Sequence, residues 1–311
     1  MKGSLSLSAR CAVAAASIRN TFSSRAPQLS LLTDFGTGDE AVYAVKSAAR
    51  AVNPKVNIDD ICHNVPIGNV LLGAWRLKRA VELRTEPKSA AYVAVIDPGV
   101  GTERRDIVVK IWDGRYLVGP DNGVLSLACS SRGVEGAVEI ENLSLTLHHF
   151  AHSRTFHGKD VFAPVAAHLL RGVPLQEFGR SLSEAELAKI CISAESTEKS
   201  RIGHLVDIDG FGSLRTNVPN HIPQNILGKV VPFSLHVAEK SVRDRARVVR
   251  AFAEAERNEP VFVLSSTGCL DLAVNLGSAA ERYSIRAQDI KVDRELRPAS
   301  RVVLDLSSAR S

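Results

Sequence analysis

The stretch AAYVAVIDPGVGTERR, residues 90–105, decides how this chain is read. Ala91 to Ile96 form an unbroken apolar, β-rich run, the pattern of a parallel strand buried on both faces. Asp97 therefore falls at the carboxyl end of a strand, where open α/β sheets place ligand chemistry. Pro98, Gly99, Gly101 and Thr102 then make a tight loop whose backbone can approach a ligand, and Glu103, Arg104 and Arg105 bring charge to the same rim. Taken alone, DPG is a strand-ending turn with an aspartate cap. Its weight comes from the rest of the chain.

On either side, strand-like and helix-like segments alternate. LSLLTDF, EAVYAVKSAARAV, VNIDDI and VLLGAWRLKRAVEL precede AAYVAVID, and this interleaving predicts an α/β fold with a mostly parallel sheet flanked by helices. IVVKIW and YLVGP follow as a hairpin across Asp113-Gly114-Arg115. The α/β domain is expected over residues 28–190, and the polar SAESTEKSR, residues 193–201, reads as a linker. Residues 202–305 carry the short β-rich runs IGHLVDID, SLRTNV, KVVPFSLHV, VFVLSS and CLDLAVNL, so a smaller all-β C-terminal domain is expected. One helical insertion, SVRDRARVVRAFAEAERN, is expected to interrupt it with a solvated, charge-alternating face.

A length of 311 residues, with 45% hydrophobic and 23% charged content, describes an ordinary globular chain of about two domains. The net charge is +5, and Lys2, Arg10, Arg19 and Arg25 in the first 27 residues supply part of it with no acid beside them. The remainder is nearly neutral, so no nucleic-acid partner is expected. That Ser-, Ala- and Arg-rich leader has the composition of an organellar transit peptide or a disordered start. The expected location is thus intracellular: cytoplasmic, or mitochondrial if the leader is a transit peptide. No stretch has the roughly 18 continuous apolar residues of a membrane span, and no membrane partner is expected. Cys11, Cys62, Cys129, Cys191 and Cys269 are scattered and odd in number, which suits a reducing compartment.

Further polar loops follow strands. Thr33-Asp34-Phe35-Gly36 repeats the logic of Asp97, and Asp34 is placed to accept hydrogen bonds from sugar hydroxyls; Asp39 is the better cap for the next helix. No glycine-rich loop or HRD run accompanies this DFG, so a kinase is excluded. Gly119-Pro120-Asp121-Asn122-Gly123 is another such loop, built of turn formers. Thr155-Phe156-His157-Gly158-Lys159-Asp160 opens a helix, which sets His157 at a helix start where the dipole opposes extra positive charge. His148 and His152 would share a helical face, but no acid lies near and no HExxH occurs, so no metal is expected.

TDFG, IDPGVGTERR, GPDNG, TFHGKDVFAP, DIDGFGSLRTN and SSTGCLDLAVN occur in the order and rough spacing of one family. Over about residues 29–295 the chain resembles the S-adenosylmethionine hydroxide adenosyltransferases, of the superfamily that includes fluorinating and chlorinating enzymes. The resemblance implies an α/β N-terminal domain, a barrel-like C-terminal domain and a homotrimer with nucleoside sites between subunits. It implies hydrolysis of S-adenosyl-L-methionine (SAM) to adenosine and L-methionine, with SAM as substrate and no cofactor. The family's triad maps onto Asp97, Arg104 and His157; either Asp97 or His157 can be the base. Asp34 should bind the ribose, Asp209 the methionine ammonium, and the backbone near Ser266 and Thr267 the carboxylate. The family usually has Asn where Ser213 stands, within an FGN run that here reads FGS.

A nucleophilic halogenase is the nearest alternative function. A halide needs no base, and a carboxylate would repel it, so retention of Asp97, Arg104 and His157 favours water. A non-catalytic nucleoside-binding protein is the alternative from another class.

Overall fold

The computed structural model describes residues 26–83, 90–147 and 155–309, so the basic leader before residue 26 and His148, His149 and His152 lie outside the described residues. Seven strands form a first sheet: β1 (Gln28–Thr33), β2 (Asn57–Cys62), β3 (Ala90–Val95), β4 (Asp106–Ile111), β5 (Tyr116–Pro120), β6 (Val134–Glu139) and β7 (Ser181–Leu182). Their order is β2-β1-β3-β5-β4-β6-β7. The half holding β2, β1, β3 and β5 is parallel, and β4, β6 and β7 extend it antiparallel. Asp113-Gly114-Arg115 joins β4 to β5 as the expected hairpin.

Every residue of β1 and β3 is buried, as a strand covered on both faces requires. Helices α1 (Ala41–Val52) and α4 (Ala163–Leu170) cover one face, and α2 (Val70–Leu83) and α3 (Ser126–Arg132) the other. β1 and β3 run parallel and in register up to Thr33 opposite Val95. Their carboxyl ends consequently deliver Asp34 and Asp97 side by side.

The second sheet holds β8 (Glu195–Ser196), β9 (Ser200–Gly203), β10 (Leu205–Ile208), β11 (Leu214–Pro219), β12 (Val230–Val237), β13 (Lys240–Val249), β14 (Pro260–Leu264), β15 (Cys269–Val274) and β16 (Ser300–Asp305). The polar stretch around residues 193–201 contributes β8 and the start of β9. At the start of β10, the Leu205 amide donates to Ser300 Oγ of β16 at 3.0 Å, which draws one end of the sheet toward the other and curls it. Alternation gives the sheet two faces. Phe262, Leu270, Leu272 and Val274 enter the core shared with α2, whereas Val249, Val261, Val263 and Ala273 form a small separate patch on the other face.

The expected helical insertion is not a helix. Residues 240–249 are β13, paired with β12 over eight residues, and a 3₁₀ turn follows at Phe252–Glu254. The arginines of SVRDRAR recur with period two, so Val242, Ala246 and Val248 fall on the side away from Arg243, Arg245 and Arg247.

Helix α2 ties the two sheets together. Arg76 clasps the buried Asp207 of β10 with Nε to Oδ2 at 3.2 Å and an Nη to Oδ1 at 2.9 Å. Arg79 donates to the Thr267 carbonyl at 3.1 Å, and Asn69 Nδ2 donates to the Ile290 carbonyl at 2.6 Å.

Candidate active site

The loop after β3 is braced from within. Thr102 Oγ1 donates to the Gly99 carbonyl at 2.7 Å, and the Val100 amide to the Asp97 carbonyl at 3.3 Å. Gly101 sits at φ 79°, a left-handed conformation that glycine adopts without strain. The chain thereby doubles back and sets Arg104 directly on Asp97.

Arg104 is the hub. Its Nε donates to Asp97 Oδ1 at 2.9 Å and an Nη donates to Asp97 Oδ2, a two-pronged guanidinium–carboxylate pair. The other Nη donates to Asp106, the first residue of β4. His157 Nδ1 lies 2.8 Å from Asp106 Oδ2 and 3.2 Å from an Arg104 Nη. Donation from Nδ1–H to Asp106 places the imidazole lone pair on Nε2, the arrangement a proton acceptor uses. Burial by itself would ease the proton off Arg104, but hydrogen bonds and attraction from Asp97 and Asp106 outweigh it and hold the guanidinium above its ordinary value. Arg104 is a fixed charge at any working pH.

His157 immediately precedes a π turn, Gly158–Phe162, which runs into α4. Phe162 packs edge-on against the His157 ring, and the Arg104 guanidinium stands 5.7 Å over its centroid. One aromatic side chain therefore backs both polar groups.

Asp34 accepts from the Gly68 amide at 2.7 Å, in the loop that leads into α2. Burial raises its carboxyl above the usual range, the Gly68 bond pulls the other way, and the negative charge of Asp97 adds to the rise. Thr33 Oγ1 bonds His63 Nδ1 at 2.8 Å, and His63 Nε2 reaches Asp60 at 3.0 Å, which steadies the loop from beneath. Asp39 accepts from the Ala41 amide at the start of α1, leaving Asp34 to the site.

Asp209, Ser213, Ser266 and Thr267 meet elsewhere, around a cavity of about 870 Å³ on the outer face of the second sheet. Asp209 Oδ1 accepts from the amides of Phe211 and Ser213, both at 2.9 Å, so the β10–β11 turn is closed around that carboxylate. Gly212 is required there: a Cβ would stand 2.1 Å from Ser278 Oγ. Every residue lining the cavity comes from the second sheet and its loops, so the triad and this cavity form separate halves.

Asp106 carries no strong sequence signal, and Asp271 and Arg215 sit inside two of the motifs without anything local to show that they pair. Asp106 follows Arg104 by two positions, the spacing that puts side chains on one side of an extended chain. Asp271 and Arg215 face each other across β15 and β11, both lining the cavity. GPDNG serves as scaffolding: Asp121 pairs with Arg105 and accepts from the Ala188 amide, while Asn122 Nδ2 donates to the Ile96 carbonyl behind Asp97. Among the described residues no His, Cys, Asp and Glu cluster has the makings of a metal site, and no helix is long and apolar enough to cross a membrane.

Residues 29–179 match the SAM hydroxide adenosyltransferase N-terminal domain, and residues 203–291 match the C-terminal domain of the same family. A curated relative from Salinispora tropica, named (R)-S-adenosyl-L-methionine hydrolase, is 34% identical over 85% of this chain and 96% of its own length. A relative of the same name from Thermus thermophilus is 33% identical over 82% and 94%. A fluorinase from Actinopolyspora mzabensis is more distant, at 26% over 84% and 94%. The crystal structure of an uncharacterized conserved protein from Thermotoga maritima superposes with a TM-score of 0.74 at 33% identity, covering 89% of this chain and 99% of that one. With both of its domains matched and hydrolase-named relatives spanning most of its length, this chain belongs to the SAM hydroxide adenosyltransferase family.

Proposed function

We propose that this protein hydrolyses SAM to adenosine and L-methionine, with water attacking the 5′ carbon in line with the C–S bond. The observation that carries this reading is the convergence of the triad on one guanidinium: Arg104 donates to Asp97 and Asp106, and Asp106 in turn holds His157. In the reaction a C5′–O bond forms, the C5′–S bond breaks with its electron pair going to sulfur, and one water proton is released. The sulfonium is already a good leaving group, so the protein has to align the water and take its proton. Asp97 accepts a hydrogen bond from that water, and Asp97 or His157 takes its proton while Arg104 keeps its charge throughout. SAM is the substrate, and the scheme uses no cofactor.

A halide would meet two carboxylates around a single guanidinium, an excess of negative charge that disfavours an anionic nucleophile. A role in binding alone gives these groups no work.

The complete site is proposed to form between subunits of a homotrimer. Nine residues of α2, about 14 Å, separate Val70, beside the Asp34 loop, from Arg79, beside Thr267. Within one chain the two halves therefore stand apart, and a neighbouring subunit would bring the missing half. Ile67 beside the Asp34 loop is 93% exposed, and Phe211 at the cavity is 86% exposed, as surfaces awaiting such a cover would be.

Incubating the protein with SAM, with and without chloride or fluoride, and separating the nucleosides by chromatography tests the reading. Adenosine and methionine are expected in equal amounts, independent of halide. A 5′-halo nucleoside would overturn hydrolysis, and absence of any product would overturn the enzymatic reading.

A further inference from the structure

Asp106 stands outside the expected triad yet touches two of its members. Its oxygens are divided between them: Oδ1 accepts from an Arg104 Nη, and Oδ2 lies 2.8 Å from His157 Nδ1. That close to a carboxylate, Nδ1 has to carry hydrogen, because two lone pairs would repel each other. The Arg104 Nη that stands 3.2 Å from Nδ1 then meets an N–H and donates nothing to it. Asp106 is thus the group that fixes the His157 tautomer, with the lone pair on Nε2.

The anchor is rigid. Asp106 opens β4, which pairs with β5 on one side and β6 on the other, and its carbonyl accepts the Ile140 amide at 2.8 Å. His157 lies on no strand and immediately precedes the π turn, so a carboxylate fixed to the sheet sets the ring's orientation from outside its own element. Charge points the same way. Asp97 already matches Arg104 with both of its oxygens, so a counter-ion is not what Arg104 lacks. Asp106 adds one negative charge to a largely buried group, and an imidazolium at His157 would offset it.

We propose that Asp106 is a positioning residue for the reaction: it holds His157 as the Nδ1–H tautomer and offsets the charge that the ring gains when Nε2 takes the proton of the attacking water. This assignment rests on SAM as the substrate, and it names His157 as the acceptor. As the C5′–O bond forms from a water lone pair, one O–H bond breaks and its electron pair stays on oxygen. The proton goes to Nε2, and the C5′–S pair leaves with the sulfur of methionine. Asp97, with both oxygens on Arg104, aligns the water.

SAM hydrolysis by wild type, Asp106→Asn and Asp106→Glu, together with ¹⁵N NMR of the histidine side chains at pH 8, tests this. A His157→Gln variant identifies the His157 signals. Wild type is expected to show a protonated Nδ1 and an unprotonated Nε2. An amide has one accepting oxygen for two donors; the charged Arg104 takes it, and the NH₂ then faces Nδ1. The Asn variant is therefore expected to lose the Nδ1–H tautomer and about a hundredfold or more in kcat, with KM largely unchanged. The Glu variant, which keeps both oxygens and the charge, should restore the tautomer and part of kcat. Wild-type His157 with its hydrogen on Nε2 would overturn the assignment, and that spectrum decides the matter even if the Asn variant does not fold. An Asn variant with kcat within threefold of wild type, or one that loses kcat while keeping the Nδ1–H signal, would overturn it too. Wild-type protein that releases no adenosine from SAM would overturn the SAM reading and the catalytic role with it, while the tautomer signal still reports the Asp106–His157 pair.

Discussion

Asp97→Asn is expected to lower kcat for SAM hydrolysis by roughly a hundred- to ten-thousandfold, the range lost when a positioned proton-handling group is removed. The substitution keeps the size of the side chain and removes its charge. Arg104 Nε can still donate to the amide oxygen in place of Oδ1, at present 2.9 Å away, but its Nη would meet an amide NH₂ where Oδ2 now accepts. Two donors then face each other, the guanidinium is displaced, and Asp106, which holds His157, loses its cationic partner. Substrate affinity should change far less than kcat, because the cavity that holds Asp209, Ser266 and Thr267 lies on the other sheet. Adenosine release at saturating SAM, set beside a calorimetric Kd, separates the two effects. Turnover within threefold of wild type would remove Asp97 from the mechanism.

Arg104→Met should be the most damaging single change to stability. Side-chain exposure is 10% for Arg104, 5% for Asp97 and 14% for Asp106, so removing the cation strands two nearly buried carboxylates. Breaking a buried pair in this way costs about 3–5 kcal/mol, a large share of the roughly 5–15 kcal/mol that holds an ordinary domain. The sign with pH is fixed by the same groups. Arg104 is held above its ordinary value, so in wild type its contribution is present throughout the working range. In the variant, acid neutralises the stranded carboxylates, and the deficit should narrow as pH falls toward about 4. Urea midpoints at pH 8 and pH 5 measure it. Arg104→Lys should recover much of the stability and little of the activity, since an ammonium keeps the charge but cannot fork between carboxylates. An unchanged midpoint for the Met variant would show that the cluster is solvated and carries no folding energy.

The sequence exposes the parts of this architecture that rest on local pattern. Ala91 to Ile96 and LSLL read as buried parallel strands because apolar residues dominate them and no charge interrupts them, and Asp34 and Asp97 follow beyond their carboxyl ends. Arg104 is found by adjacency, and His157 by the resemblance that binds the motifs together. Asp106 escapes notice because it opens β4 beside two arginines and looks like loop charge. Strand β6, VEGAVE, hides behind its glycine and two glutamates, and β13 is masked by charges that suit a solvated helix as well as an edge-facing strand. Asp271 and Arg215 are 56 positions apart, and only the pairing of β11 with β15 sets them opposite each other. That register is a tertiary fact, decided by which residues of β11 and β15 enter the core.

In the proposed reaction the Asp97–Arg104–His157 cluster delivers water to the 5′ carbon of SAM. Turnover in ¹⁸O-enriched water, followed by mass spectrometry of both products, tests it directly. One ¹⁸O atom is expected in adenosine, at the 5′ hydroxyl, and none in L-methionine. Adenosine free of ¹⁸O, or label appearing in the methionine half, would contradict it.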